Sequence, residues 1–239
     1  MNIINMKRIT AFVCSSLLTI LSSTSNFYVS AQEQQEVIHN LVLFAQFPDA
    51  ESDNFMSENT QRMINYCEDK STFRSLAGYI NEISYGKMQV EFEYPQLKND
   101  VFVPYKMSQT LDKYYNIESI MTEVISNADV PQSAVLDGNG DGIIDNVIVV
   151  MDADKNSAGT IFWPKAFSLP GIKINGLESG MVNVHNDYSL FSSSLIDNSV
   201  VLCHEFLHSV GYPDLYRIDS REGVPVGMWD IMAATSYYM

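Results

Sequence analysis

The chain has 239 residues, enough for one large domain or two small ones with a core that needs no cross-links, which excludes a disulfide miniprotein. Hydrophobic residues make up 46% and charged residues 18%, so wholesale disorder is excluded as well. A formal charge of −15, from 14 basic and 29 acidic side chains, argues against a nucleic-acid surface or a patch docking on anionic lipid, because both need clustered Lys and Arg.

Lys7 and Arg8 precede an uncharged apolar stretch from Ala11 to Leu21, and a polar region then ends at Val29-Ser30-Ala31. That order matches the n-region, h-region and small-residue cleavage site of a secretory leader, so residues 1–31 are expected to be removed on export to an extracellular setting. About 11 apolar residues are too few for a bilayer core that needs about 20, so no stable membrane insertion is expected. Cys67 and Cys203 would then remain, free to pair in an oxidising compartment or to stay as two small buried thiols.

Residues 32–239 show no repeat, low-complexity tract or linker and read as one domain. Asn40 to Phe47 is a short apolar run of central-strand type. From Ser71 as N-cap, Phe73, Leu76, Ala77, Ile80 and Ile83 recur at helical spacing until Gly86. Val90, Phe92 and Tyr94 alternate with polar residues, as in a strand with one wet face. Leu111 to Ser126 reads as a second helix, with Tyr115, Ile117, Ile120, Met121, Val124 and Ile125 facing the core.

Between that helix and the next apolar run lies Asp137-Gly138-Asn139-Gly140-Asp141-Gly142-Ile143-Ile144-Asp145. Oxygen side chains at loop positions 1, 3, 5 and 9, with Gly at 6, make the first three-quarters of a calcium loop, although Ile148 stands where an EF-hand has its bidentate Glu. Calcium held by Asp137, Asn139, Asp141, Asp145 and the Ile143 carbonyl is one expectation. A bare acidic turn is the other.

Asn146 to Met151 is a second buried-strand candidate and Met181 to His185 a third, nearer an edge. An edge strand there could pair with an extended peptide through its backbone, with His185 among the substrate contacts, unless His185 is simply a polar residue on a wet face. Trp163 and Trp229 read as packing or turn residues. Ser199 to Val210 looks helical and ends at Gly211. Strands interleaved with helices predict an α/β (α+β) layered domain with a twisted mixed sheet.

His204-Glu205-Phe206-Leu207-His208 lies in that last helix. Residues four apart share a face, so the two imidazoles can aim at one metal while Glu205 projects beside it. Zinc acidifies water, and a neighbouring carboxylate can take the proton as the water attacks a carbonyl. Gly211 permits a left-handed stop, Pro213 prevents helix from resuming, and Asp214 falls where the reversed chain could return to the metal. Two imidazoles, one carboxylate and an open position make a catalytic zinc shell. Glu222 is a weaker alternative for the third ligand, since 14 residues in a Gly/Pro-flanked loop leave little room for the second helix such sites use. Ordinary buried histidines with Asp214 as a turn former would require three coincidences.

HEFLHSVGYPDLY (His204 to Tyr216), followed by GMWDIM (Gly227 to Met232), resembles the secreted immune inhibitor A-like zinc metallopeptidases of the metzincin clan. FPD at 47–49, SYGK at 84–87 and NGDGxxD at 139–145 are weaker echoes. The resemblance implies a metzincin-like peptidase domain with an active-site helix, zinc ligands His204, His208 and Asp214, Glu205 as general base, and Met232 in a methionine turn beneath the ligands. It also implies protein or peptide substrates. Three departures stand out: the chain stops seven residues after Met232, which points to truncation; no propeptide is evident; and Ala234 stands where some metzincins have a Tyr, with Tyr237 and Tyr238 nearby. The competing class is an inactive, calcium-dependent extracellular binding or adhesion module on a peptidase scaffold.

Overall fold

The two longest apolar runs become neighbouring central strands. In the computed structural model, which describes residues 36–50, 55–152, 161–191, 199–217, 225–227 and 230–233, β1 (Glu36–Gln46) pairs in parallel with β6 (Asn146–Asp152), from Asn40 against Asn146 to Gln46 against Asp152. Between them in the chain come α1 (Phe55–Glu68), α2 (Leu76–Ile83), β2 (Met88–Glu93), a β3 (Leu97–Lys98) and β4 (Val101–Phe102) hairpin, β5 (Tyr105–Lys106) and α3 (Ile117–Ser126). After β6 follow β7 (Lys165–Ser168), a β8 (Lys173–Ile174) and β9 (Leu177–Glu178) hairpin, β10 (Met181–Asn186), α4 (Asp187–Phe191) and α5 (Ser199–Ser209). The leader expected at 1–31, Glu222, Trp229, Ala234, Tyr237 and Tyr238 lie outside the described residues.

The main sheet runs β2-β1-β6-β10-β7, with β5 paired to the far end of β1. All pairings are parallel except β7 on β10, so the domain is mixed α/β with a mixed sheet. Every residue of β6 is buried, which is why residues 147–151, between Asn146 and Asp152, are an unbroken apolar run: a strand covered on both faces has no wet side. Odd-numbered β1 residues Leu41 and Leu43 pack with Val147, Val149 and the α3 side chains. Even-numbered Val42 and Phe44 pack with Ile148, Val150 and residues of α1, α2 and α5. The period-2 alternation of strand side chains thus divides one sheet between two cores.

Several predicted boundaries move. α2 begins after Ser75, whose hydroxyl accepts the Gly78 amide at 3.0 Å, while Ser71 donates to Asp69 in a preceding turn. That turn folds back so closely that a Cβ on Gly78 would meet the Thr72 carbonyl oxygen at 1.8 Å; Phe73 and Ile83 stay exposed instead of joining the core. The predicted second helix splits into a 3₁₀ turn at Leu111–Lys113 and α3, because Asn116 caps α3 through the Ser119 amide in a reciprocal box. Tyr115, in the break, is 96% exposed and not a core residue. α1 has no predicted counterpart; its buried stripe of Thr60, Met63 and Cys67 is narrow and partly polar. Met181 to His185 lies one strand in, with β7 outside it. Cys67 and Cys203 form no disulfide and are both buried in the same core, and burial pushes the Cys67 thiol up to about 12.

Candidate metal centre

α5 ends because Gly211, at φ +92°, turns the chain left-handed, with Tyr212 N donating to Leu207 O and Gly211 N to His208 O, both at 3.0 Å. This pair of bonds satisfies carbonyls that the helix end would leave open. It also delivers the Tyr212 carbonyl to the His208 ring, whose Nδ1 lies 2.8 Å from it. His204 Nδ1 lies 2.8 Å from the Ile231 carbonyl. A carbonyl oxygen can only accept, so each Nδ1 donates to its carbonyl and each ring turns Nε2 toward the site.

Both Nε2 atoms face the same oxygen. Asp214 Oδ1 is 3.1 Å from His204 Nε2 and 3.3 Å from His208 Nε2. Oδ1 is buried and meets no hydrogen-bond partner in this geometry, an orphaned oxygen that a cation would satisfy. Tetrahedral zinc with bonds of about 2.05 Å would hold its ligand atoms about 3.3 Å apart, which the two distances to Asp214 match, and two imidazoles with a carboxylate are a donor set that fits that ion.

Glu205, 5% exposed, lies beside them, and candidate ligand atoms of His204, Glu205 and His208 fall within 4.8 Å of one another. Burial raises the Glu205 carboxyl to about 8, the negative Asp214 adds to the rise, and Lys165 on β7 works against it. The group thus holds a proton far more firmly than an exposed carboxylate.

Met232 is buried with Cys203 and Leu207 in the core beneath α5. Its amide donates to Asp230 Oδ1 and its carbonyl accepts the Leu215 amide, both at 2.8 Å. One short turn thereby holds the His204 ring through Ile231 and fixes the residue after Asp214. The Ile231 and Tyr212 carbonyls escape sequence reasoning because backbone acceptors carry no residue signature, although Tyr212 is foreseeable as the residue following a helix-ending glycine.

The other candidates are arranged differently. In the acidic loop, Asp137 accepts the Gly140, Asp141 and Gly142 amides, which hold its carboxyl below the usual range. Asn139 and Asp141 accept the amides two residues on, and Asp145 Oδ2 accepts His39 N and Gly138 N, tying the loop to β1. Ile143 bridges to Glu178. Asp137, Asp141 and Asp145 do not come within 4.8 Å of one another as a group of three, as His204, Glu205 and His208 do. His185 is fully buried, so it sits on no wet face, and its strand is flanked on both sides along Val182–Val184. Neither ring nitrogen has a partner. Trp163 is about half exposed and lies in the turn at residues 161–163.

Comparison with protein-family models and with curated proteins finds no match to this chain.

Burial, with a smaller contribution from His204, depresses the His185 pKa from 6.5 to about 3. Above 6.5 the ring is neutral folded or unfolded and adds no pH dependence. Between 6.5 and about 3 the unfolded chain binds a proton that the folded one refuses, so stability is lost as the pH is lowered through that range. His185→Leu is expected to flatten that fall by on the order of 1 kcal/mol per pH unit, measured by urea denaturation of both proteins from pH 7 to 4; parallel curves would refute the depressed pKa.

Proposed function

We propose that this chain is an exported zinc-dependent endopeptidase that hydrolyses peptide bonds of extracellular proteins, with a metzincin-like architecture. The supporting observation is the convergence of His204 Nε2, His208 Nε2 and Asp214 Oδ1, with both Nδ1 atoms tied to carbonyls and a buried carboxyl alongside. His204, His208 and Asp214 would hold the ion; zinc, when bound, supplies Lewis acidity to the scissile carbonyl and to water.

The rest belongs to the protein. The two carbonyl-bound Nδ1 protons fix ring orientation and strengthen Nε2 as a donor. Glu205, buried beside the ligands, takes the proton of the attacking water and passes it to the leaving amine. Lys165, whose charge reaches Glu205, begins the outermost strand β7. An extended substrate can add along the open side of that strand through backbone hydrogen bonds, which would bring its scissile bond past Glu205. Met232 and its turn buttress the ligands from below. Export rests on the leader pattern at 1–31; no helix among the described residues is long and apolar enough to cross a membrane.

Calcium at the Asp137–Asp145 loop is a second, separable proposal. The amide bonds there leave further lone pairs on Asp137, Asn139 and Asp141 for a hard cation.

Glu205→Gln is expected to keep one zinc per chain by elemental analysis while losing casein hydrolysis by at least about a thousandfold. His204→Ala should lose both. Hydrolysis surviving in Glu205→Gln would refute its role. For the loop, millimolar calcium is expected to raise the melting temperature of the zinc-loaded protein and to leave Asp137→Asn unmoved; equal responses would remove the calcium proposal.

A further inference from the structure

Three fully buried asparagines lie on adjacent strands of the main sheet: Asn40 on β1, Asn146 at the start of β6 and Asn183 on β10. The parallel register sets Asn40 beside Asn146. Asn146 Nδ2 donates to Asn40 Oδ1 at 2.8 Å and to Asn183 Oδ1 at 3.1 Å. Asn183 Nδ2 donates to Ser209 Oγ at 2.9 Å, and the Ser209 hydroxyl donates back to Asn146 Oδ1 at 2.8 Å.

Asn146, Asn183 and Ser209 therefore close a ring in which each side chain donates to the next in the same direction. Such a ring is cooperative, because each bond polarises its neighbour. Asn40 completes the set by donating to the Ile38 and Glu91 carbonyls at 3.2 Å, so every polar side-chain atom of the four residues has a partner. Apolar residues of like volume would hold a helix on a sheet at least as strongly, since buried polar groups only recover what their desolvation costs. What they do not supply is direction: a helix packed through aliphatic side chains can roll or slide by fractions of an ångström, whereas two directional bonds to one hydroxyl set both its rotation and its depth.

Ser209 is the last residue of α5 and follows His208 directly. We propose that the Asn146–Asn183–Ser209 ring is a positioning device for the metal centre, with Ser209 as the positioning residue that orients the last helical turn so that His208 Nε2 meets Asp214 Oδ1. The inference rests on the zinc reading, and it assigns the central strands a part in metal binding that none of their residues takes by contact.

The experiment compares Ser209→Ala, Ser209→Thr and wild type as full chains, reading zinc affinity by competition with a chromophoric chelator and the melting temperature of the metal-free protein. Val149→Ala, in the core on the other face of the sheet, is the control for lost stability alone. Ser209→Ala leaves Asn183 Nδ2 and Asn146 Oδ1 each short of a partner and is expected to weaken zinc binding about 10-fold or more. Ser209→Thr keeps the hydroxyl and should bind within a few-fold of wild type, and Val149→Ala should melt lower with its zinc affinity intact. Should Ser209→Ala fail to fold, Ser209→Cys, of nearly the same shape with a weak donor, replaces it with the same expectation. Unchanged zinc affinity in a folded ring variant, with wild type binding zinc, overturns the ring's role alone. A wild-type chain that binds no zinc overturns the metal centre itself.

Discussion

Two imidazole nitrogens face one carboxylate oxygen at 3.1 and 3.3 Å. That convergence organises the carboxyl-terminal part of the structure. The Ile231 and Tyr212 carbonyls hold the rings in this orientation by accepting from each Nδ1, which leaves both Nε2 atoms toward Asp214. Backbone hydrogen bonds thus aim the side chains at one point, the arrangement that the proposed cation site needs.

The surrounding elements follow from that demand. Gly211 reverses the chain at once, so that Tyr212 and Asp214 return within a few residues of His208. The turn at Asp230–Ala233 approaches from the other side and is tied to Leu215. Beneath α5, the sheet carries a closed ring of amides and a hydroxyl. Glu205 is buried, and its proton affinity reflects first that burial and then the charges of Asp214 and Lys165. A bound divalent cation would alter that balance, since positive charge nearby favours the ionised carboxylate.

Much of this was legible in residue patterns, and the failures have physical causes. HExxH on a helix, Gly211 as its stop and Asp214 in the returning segment are local features, fixed by helical spacing and glycine's access to positive φ. β1 and β6 were legible because strands buried on both faces carry long apolar runs, here residues 41–45 and 147–151. Long-range placement was not: His185 reads as a polar residue near a sheet edge until β7 is seen to lie outside its strand. Helix starts slipped wherever two capping residues competed, as with Ser71 and Ser75, and Tyr115 left the core because Asn116 began a new helix. Asn40, Asn146 and Asn183 are far apart in sequence and each alone is unremarkable; only strand register brings them into one network.

X-ray absorption at the zinc edge of the zinc-loaded full chain tests the central claim most directly. A shell of nitrogen and oxygen at about 2.0–2.1 Å, with the multiple scattering of two imidazoles and no sulfur, is the expected result. A sulfur ligand at about 2.3 Å, which would draw on Cys67 or Cys203, or a spectrum without imidazole scattering, would contradict it.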